Sequence, residues 1–140
     1  MMHFDDIAAE LEDQATDATR LLLLGESILA AWVVAHGDVP TDDTREGFRL
    51  LALHRQGAKN EPSFNACRET CRELVYHYNV VTDASLAERA ERLTMMRFVA
   101  RHLLLFVRGK LEESALGDFC CSSRPLRGAQ PVAAAKRIEV

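Results

Sequence analysis

The segment DASLAERAERLTMMRFVARHLLLFVRGKLEES, residues 83–114, decides how the rest of the chain is read. Asp83 or Ser85 can cap a helix start and no proline interrupts the residues up to Ser114, so the segment reads as one long helix. At about 100° per residue, Leu86, Leu93, Met96, Ala100, Leu103, Leu104, Val107 and Leu111 fall on one broad face. Met95, Phe98, Val99, Leu105 and Phe106 make a second apolar face, and Arg97, Arg101 and Arg108 form a narrow stripe between the two. Two apolar faces need two sets of neighbours. The helix is therefore expected to be central to a bundle or shared with a second subunit.

Moving outward, Thr82-Asp83 separates this helix from a clean amphipathic segment opened by Pro62 or Ser63 and running to about Val80. Phe64, Cys67, Cys71, Leu74, Val75, Tyr78 and Val81 share its apolar face, and so short a connection predicts an antiparallel hairpin with the long helix. A short, poorly amphipathic helix is expected before it, from caps at Thr41-Asp42-Asp43 to about Gly57. The first segment repeats apolar residues at helical spacing from Phe4 to Val33, so one helix is expected from Phe4 to His36. Gly25 lies on its apolar stripe, where close approach of another backbone, or else a break into two helices, would explain it, and a continuous helix is the expectation. No repeat and no strand-like alternation is present. The class is all-α, an up-down bundle of about four helices with long first and last members, spanning 1–117. Residues 118–140 hold two prolines and the basic residues Arg124, Arg127, Lys136 and Arg137, and read as a flexible basic tail.

At 140 residues the chain is the size of one domain. A net charge of −4 gives no overall attraction for nucleic acid or an anionic membrane, so neither is an expected partner. Met1 to Gln14 lacks the basic start and apolar core of a signal peptide, and the four cysteines do not form a secreted disulfide framework. The expected compartment is the cytoplasm. The most apolar run, Leu21 to Ala35, includes Gly25, Glu26 and Ser27 and falls short of the roughly 20 residues a bilayer demands.

Cys67 and Cys71 stand one helical turn apart, close enough to meet one metal ion or to cycle as a thiol pair, and Cys120-Cys121 could complete a four-sulfur set. Their apolar neighbours Phe64 and Leu74 favour plain core packing. Glu26 sits on an apolar stripe and needs a cation, for which Arg97 and Arg101 are the candidates. The arginine stripe itself, Arg97, Arg101 and Arg108, is either paired with acids of the first helix, with Asp13 and Asp17 towards Arg101 and Arg108, or open as an anion site. No Glu-x-x-His pair for a di-iron centre occurs, and no phosphate loop or nucleophile motif stands out.

His54, within His54-Arg55-Gln56-Gly57-Ala58-Lys59, resembles the exposed histidine of histidine phosphotransfer domains, helical bundles of about this length. In that family a lysine and a glycine follow the histidine by three and four places, whereas here Gly57 and Lys59 stand displaced. The resemblance implies phosphoryl transfer through His54. The arginines from Arg89 to Arg101 have the texture of a DNA-reading helix, but no turn divides two short helices there. The reading that accounts for most of the sequence is an adaptor, regulator or assembly factor working by protein association as a homodimer, and more a binding protein than an enzyme. Its rival is a ligand, metal or thiol-redox sensor using Cys67/Cys71 or the arginine stripe, with the cofactor unspecified.

Overall fold

Five α-helices and one 3₁₀ segment build the fold in the computed structural model, which describes residues 2–114. They are α1 (Phe4–Glu12), α2 (Ala18–Ala35), α3 (Arg49–Lys59), a 3₁₀ segment (Pro62–Cys67), α4 (Arg68–Asp83) and α5 (Leu86–Glu113), with no strand among the described residues. The all-α class is as the sequence predicts. The expected basic tail at 118–140, with Cys120 and Cys121, lies outside the described residues.

The single first helix expected from Phe4 to His36 is two helices, and the count of about four becomes five. The break falls at residues 13–17, where side chains satisfy the backbone better than helix continuation would. Asp13 Oδ1 accepts from the Ala15 amide at 2.9 Å, and the Thr16 hydroxyl donates to the Glu10 carbonyl at 2.9 Å. Asp17 then caps α2, its Oδ1 accepting from the Arg20 amide at 2.9 Å. Arg20 closes the corner from the other side by donating to Glu10 through Nε at 2.7 Å.

α2 ends in a Schellman turn: Gly37 adopts φ +86°, its amide donates to Val34, and the Asp38 amide donates to Val33. The next helix begins at Arg49 rather than near Thr41. The Thr41 amide donates to Gln56 Oε1 at 2.8 Å and Arg49 Nε returns a bond to the Thr41 carbonyl at 2.8 Å, which ties residues 40–48 against α3 as a loop. The loop turns through Glu46 (φ 56°) and Gly47 (φ +85°), and Arg45 and Phe48 exchange both backbone bonds at 3.0 Å.

The core closes around α2, which packs on α3, α4 and α5, while α4 and α5 lie along one another and α1 rests on α5 and α2. α2 is apolar and long enough to cross a membrane by length and composition, and half of it is buried inside this fold. Gly25 is continuous helix. The atoms crowding it are side chains rather than the backbone expected, since a Cβ there would lie 2.6 Å from Leu74 Cδ2 and 3.1 Å from Leu50 Cδ1. Gly57 is needed in the same way, for a Cβ would meet Trp32 Cδ1 at 2.8 Å and Phe64 Cε2 at 2.9 Å. The indole N–H of Trp32 donates to the Gly57 carbonyl at 3.1 Å, and the Trp32 and Phe64 rings stack at 4.2 Å. On α3, Leu50, Leu51, Ala52, Leu53 and His54 are all buried while Arg55 and Lys59 are exposed, so the helix is clearly amphipathic rather than poorly so as expected.

Candidate functional site

Three places gather the chemistry-bearing residues: the outer face of α5, a histidine–cysteine cluster beneath α3, and a cleft between α3, α4 and the 40–48 loop.

On α5, Met96, Ala100, Leu103, Leu104, Val107 and Leu111 are buried, as the first apolar face predicts, although Leu86 at the helix start is 84% exposed. The second face divides. Val99 and Phe106 pack partly against the core, whereas Met95, Phe98 and Leu105 are 46%, 61% and 70% exposed. Met95, Phe98, His102 and Leu105 recur at alternating spacings of three and four residues, the seam pattern of a helix that meets another helix. Thr70 and Glu73 of α4 border one side of this stripe, enclosing with Met95, Phe98, Val99 and His102 a shallow groove of about 380 Å³. The α1 side is cationic, with the Arg101 guanidinium 5.8 Å from the Phe98 ring centroid.

The arginine stripe is engaged by the chain itself. Arg101 pairs with Glu12 at 3.3 Å and Arg108 with Asp5 at 2.8 Å, both acids of α1, in place of the expected Asp13 and Asp17, which accept from the Ala15 and Arg20 amides at the corner. Arg108 holds the Asp5 carboxyl below its ordinary range. Arg97 is only 5% exposed and has no carboxylate partner among the described residues; it donates to the carbonyls of Gln14 at 3.5 Å and Thr16 at 3.3 Å, tying down the connection between α1 and α2. Its Nε is one of two buried side-chain atoms without a partner among the described residues, the other being His77 Nδ1. Glu26, expected near Arg97 or Arg101, instead faces Arg49 at 3.4 Å with its side chain 12% exposed. The residue that sequence reasoning missed is Arg49, whose position at the start of α3 opposite α2 no spacing rule encodes.

Cys67 and Cys71 are free thiols, 1% and 0% exposed, at the start of α4. The Cys67 thiol donates to the Phe64 carbonyl at 3.3 Å. A hydrogen bond from Cys71 draws Cys67 below the ordinary thiol range against the opposing effect of burial, and the His54 ring adds to the pull. Cys71 is pushed up by that same hydrogen bond and by burial. The pair thus has one more acidic member, but both are closed off from solvent. No group of three or more His, Cys, Asp or Glu side chains suited to a metal occurs among the described residues. His54 is 6% exposed, stacks on Phe64 at 5.5 Å and hydrogen-bonds the Phe64 carbonyl through Nε2 at 3.2 Å. The exposed ring implied by the phosphotransfer resemblance is absent at His54.

Above His54 opens the cleft, about 840 Å³, within the usual size of a small-molecule site. Arg45, Arg55, Lys59, Arg68 and Arg72 line it, with Asp43 as the one acid of its wall. None of these cations was singled out from sequence, because they come from the loop, α3 and α4 and converge only in three dimensions. Comparison with protein-family models, curated proteins and solved structures finds no match.

Proposed function

We propose that the protein acts by association, as an adaptor, regulator or assembly factor, and that its partner at the α5 face is a second copy of the chain. The observation that carries this is the stripe of Met95, Phe98 and Leu105, left open on the longest helix at coiled-coil spacing. Charge arrangement favours a copy of itself. The stripe has cationic Arg101 on one edge and acidic Glu73 on the other, so a two-fold axis parallel to α5 sets each Arg101 edge opposite the Glu73 edge of its mate. Glu91 precedes Met95 on the same face and confines the contact to the segment from Met95 to Leu105.

An up-down order of helices belongs to this reading, supported by the two-residue connection between α4 and α5. A reducing cytoplasm also belongs to it, supported by the free thiols Cys67 and Cys71. The net charge of −4 argues against a nucleic-acid or anionic-membrane partner.

Sedimentation across a concentration range tests the association, and Phe98→Cys tests its geometry. Parallel α5 helices bring two copies of residue 98 together, so oxidation should give a disulfide-linked dimer with unchanged helicity. A wild-type protein that stays monomeric at high micromolar concentration, or a dimer that survives Phe98→Glu with Leu105→Glu intact, would sink the proposal.

A further inference from the structure

The cleft above His54 concentrates positive charge on a chain that is acidic overall. Arg55 and Lys59, from α3, make no ion pair among the described residues, and Arg68 is held only by its exposed neighbour Glu69 at 3.0 Å. Arg72 is different. Both of its terminal nitrogens donate to the Glu46 carboxylate, each at 3.1 Å, in the two-pronged geometry that guanidinium offers to carboxylates and phosphates alike. Arg45 and Arg68 also act on that carboxylate through their charge, after the larger effect of Arg72. Glu46 reaches this position from φ 56°, a left-handed conformation that a residue with a side chain adopts at a cost. One carboxylate of the protein is therefore held by Arg72 beside a cleft whose wall is mostly cationic.

We infer that the cleft is a binding site for a small diphosphate-bearing molecule, and that Glu46 is its internal surrogate, displaced from Arg72 when the ligand binds. Two linked phosphates suit the arrangement because the cations come in two groups, Arg68 and Arg72 one turn apart on α4 with Arg45 of the loop, and Arg55 and Lys59 one turn apart on α3. A single carboxylate can satisfy only the first. The cleft volume of about 840 Å³ accommodates a ligand of nucleotide size. The site is separate from the α5 seam and does not rest on the proposed dimer.

Calorimetric titration of the full chain with inorganic pyrophosphate at low ionic strength tests this, with ADP as a second arm. Saturable binding that weakens with salt is expected. Equal affinity in the two arms would mean that the diphosphate alone is read, and tighter ADP binding that an organic group also enters the cleft. Arg68→Gln should weaken binding about tenfold, in keeping with the loss of a charge-assisted contact. Glu46→Gln should tighten it several-fold by releasing Arg72, a gain that a merely structural turn would not give. Arg101→Gln, on α5, should leave the titration unchanged. Circular dichroism of each variant separates lost binding from lost fold. The inference is overturned if pyrophosphate fails to bind wild type and Glu46→Gln alike. It is equally overturned if Arg68→Gln and Arg101→Gln behave the same, or if a single-stranded oligonucleotide binds while pyrophosphate does not.

Discussion

On α5, Leu103 is fully buried while Leu105, two residues on, is 70% exposed, and Met96 is buried beside a Met95 that is 46% exposed. Hydrophobicity does not distinguish the members of either pair. What distinguishes them is that α2 and α4 lie against one side of the helix and nothing among the described residues lies squarely against the other. The buried face is bound up with folding and the open face with whatever covers it. Truncation on the two faces should therefore differ sharply. Leu103→Ala removes a filled volume and should cost about 2 to 5 kcal/mol of stability. Leu105→Ala should change monomer stability by no more than about 0.5 kcal/mol, and weaken self-association instead. Urea unfolding at two protein concentrations separates these, because only the dimer-linked part depends on concentration. Equal losses at both positions, independent of concentration, would erase the distinction between the faces.

The buried side can be probed further at its two crowded glycines. At Gly57 an added methyl would press on the Trp32 and Phe64 rings, which are stacked on one another and cannot swing away singly. At Gly25 it would meet the ends of Leu74 and Leu50, which have rotamers to spare. Overpacking of this kind costs about 1 to 3 kcal/mol, and Gly57→Ala is expected near the top of that range with Gly25→Ala below it. Thermal melts of the two variants would settle the order, and a more stable Gly57→Ala protein would show that the aromatic stack is looser than its geometry implies.

This contrast also explains which parts of the molecule were legible in the sequence. Periodicity found α5 and the Phe64 to Val81 face, because a helix buried along one side writes that side at a spacing of 3.6 residues. It also marked Met95, Phe98 and Leu105 as a second apolar face, without saying whether the chain itself would cover them. It ran α1 into α2, since the apolar spacing is consistent on both sides of a corner made by Asp13, Thr16 and Asp17 through hydrogen bonds that spacing does not record. The partner of Glu26 was misassigned for a related reason. Arg49 approaches it because the 40–48 loop folds back on α3, and the basic cleft escapes notice in sequence because its cations come from three separate segments.

Between the two faces of α5 runs the arginine stripe, where expected effects shrink as exposure grows. Arg97→Gln would leave the Gln14 and Thr16 carbonyls short of a donor at a buried corner, a loss on the order of 1 to 2 kcal/mol. The Arg101 and Arg108 pairs lie nearer solvent, with side chains 45% and 35% exposed. Arg101→Gln should therefore move stability by only about 0 to 1 kcal/mol, and less in high salt.

Acid should remove several such surface pairs together. Asp5, Glu10 and Glu46 each have a carboxyl drawn below its ordinary value of 3.8 or 4.5, chiefly by hydrogen bonds from Arg108, Arg20 and Arg72. A group whose folded pKa is depressed stabilises the fold fully above its unfolded pKa, and loses that contribution as pH falls through the folded value. The melting temperature should accordingly be insensitive to these groups from pH 7 down to about 5 and decline below about 4.5. Glu46→Gln should flatten that decline slightly, by lowering the neutral-pH melting point a little and leaving the acid end unchanged. Dissociation of the proposed dimer over the same acid range would be a separate signal: if Glu46→Gln leaves it unchanged, the loss belongs to the open face of α5 and not to the folded body beneath it.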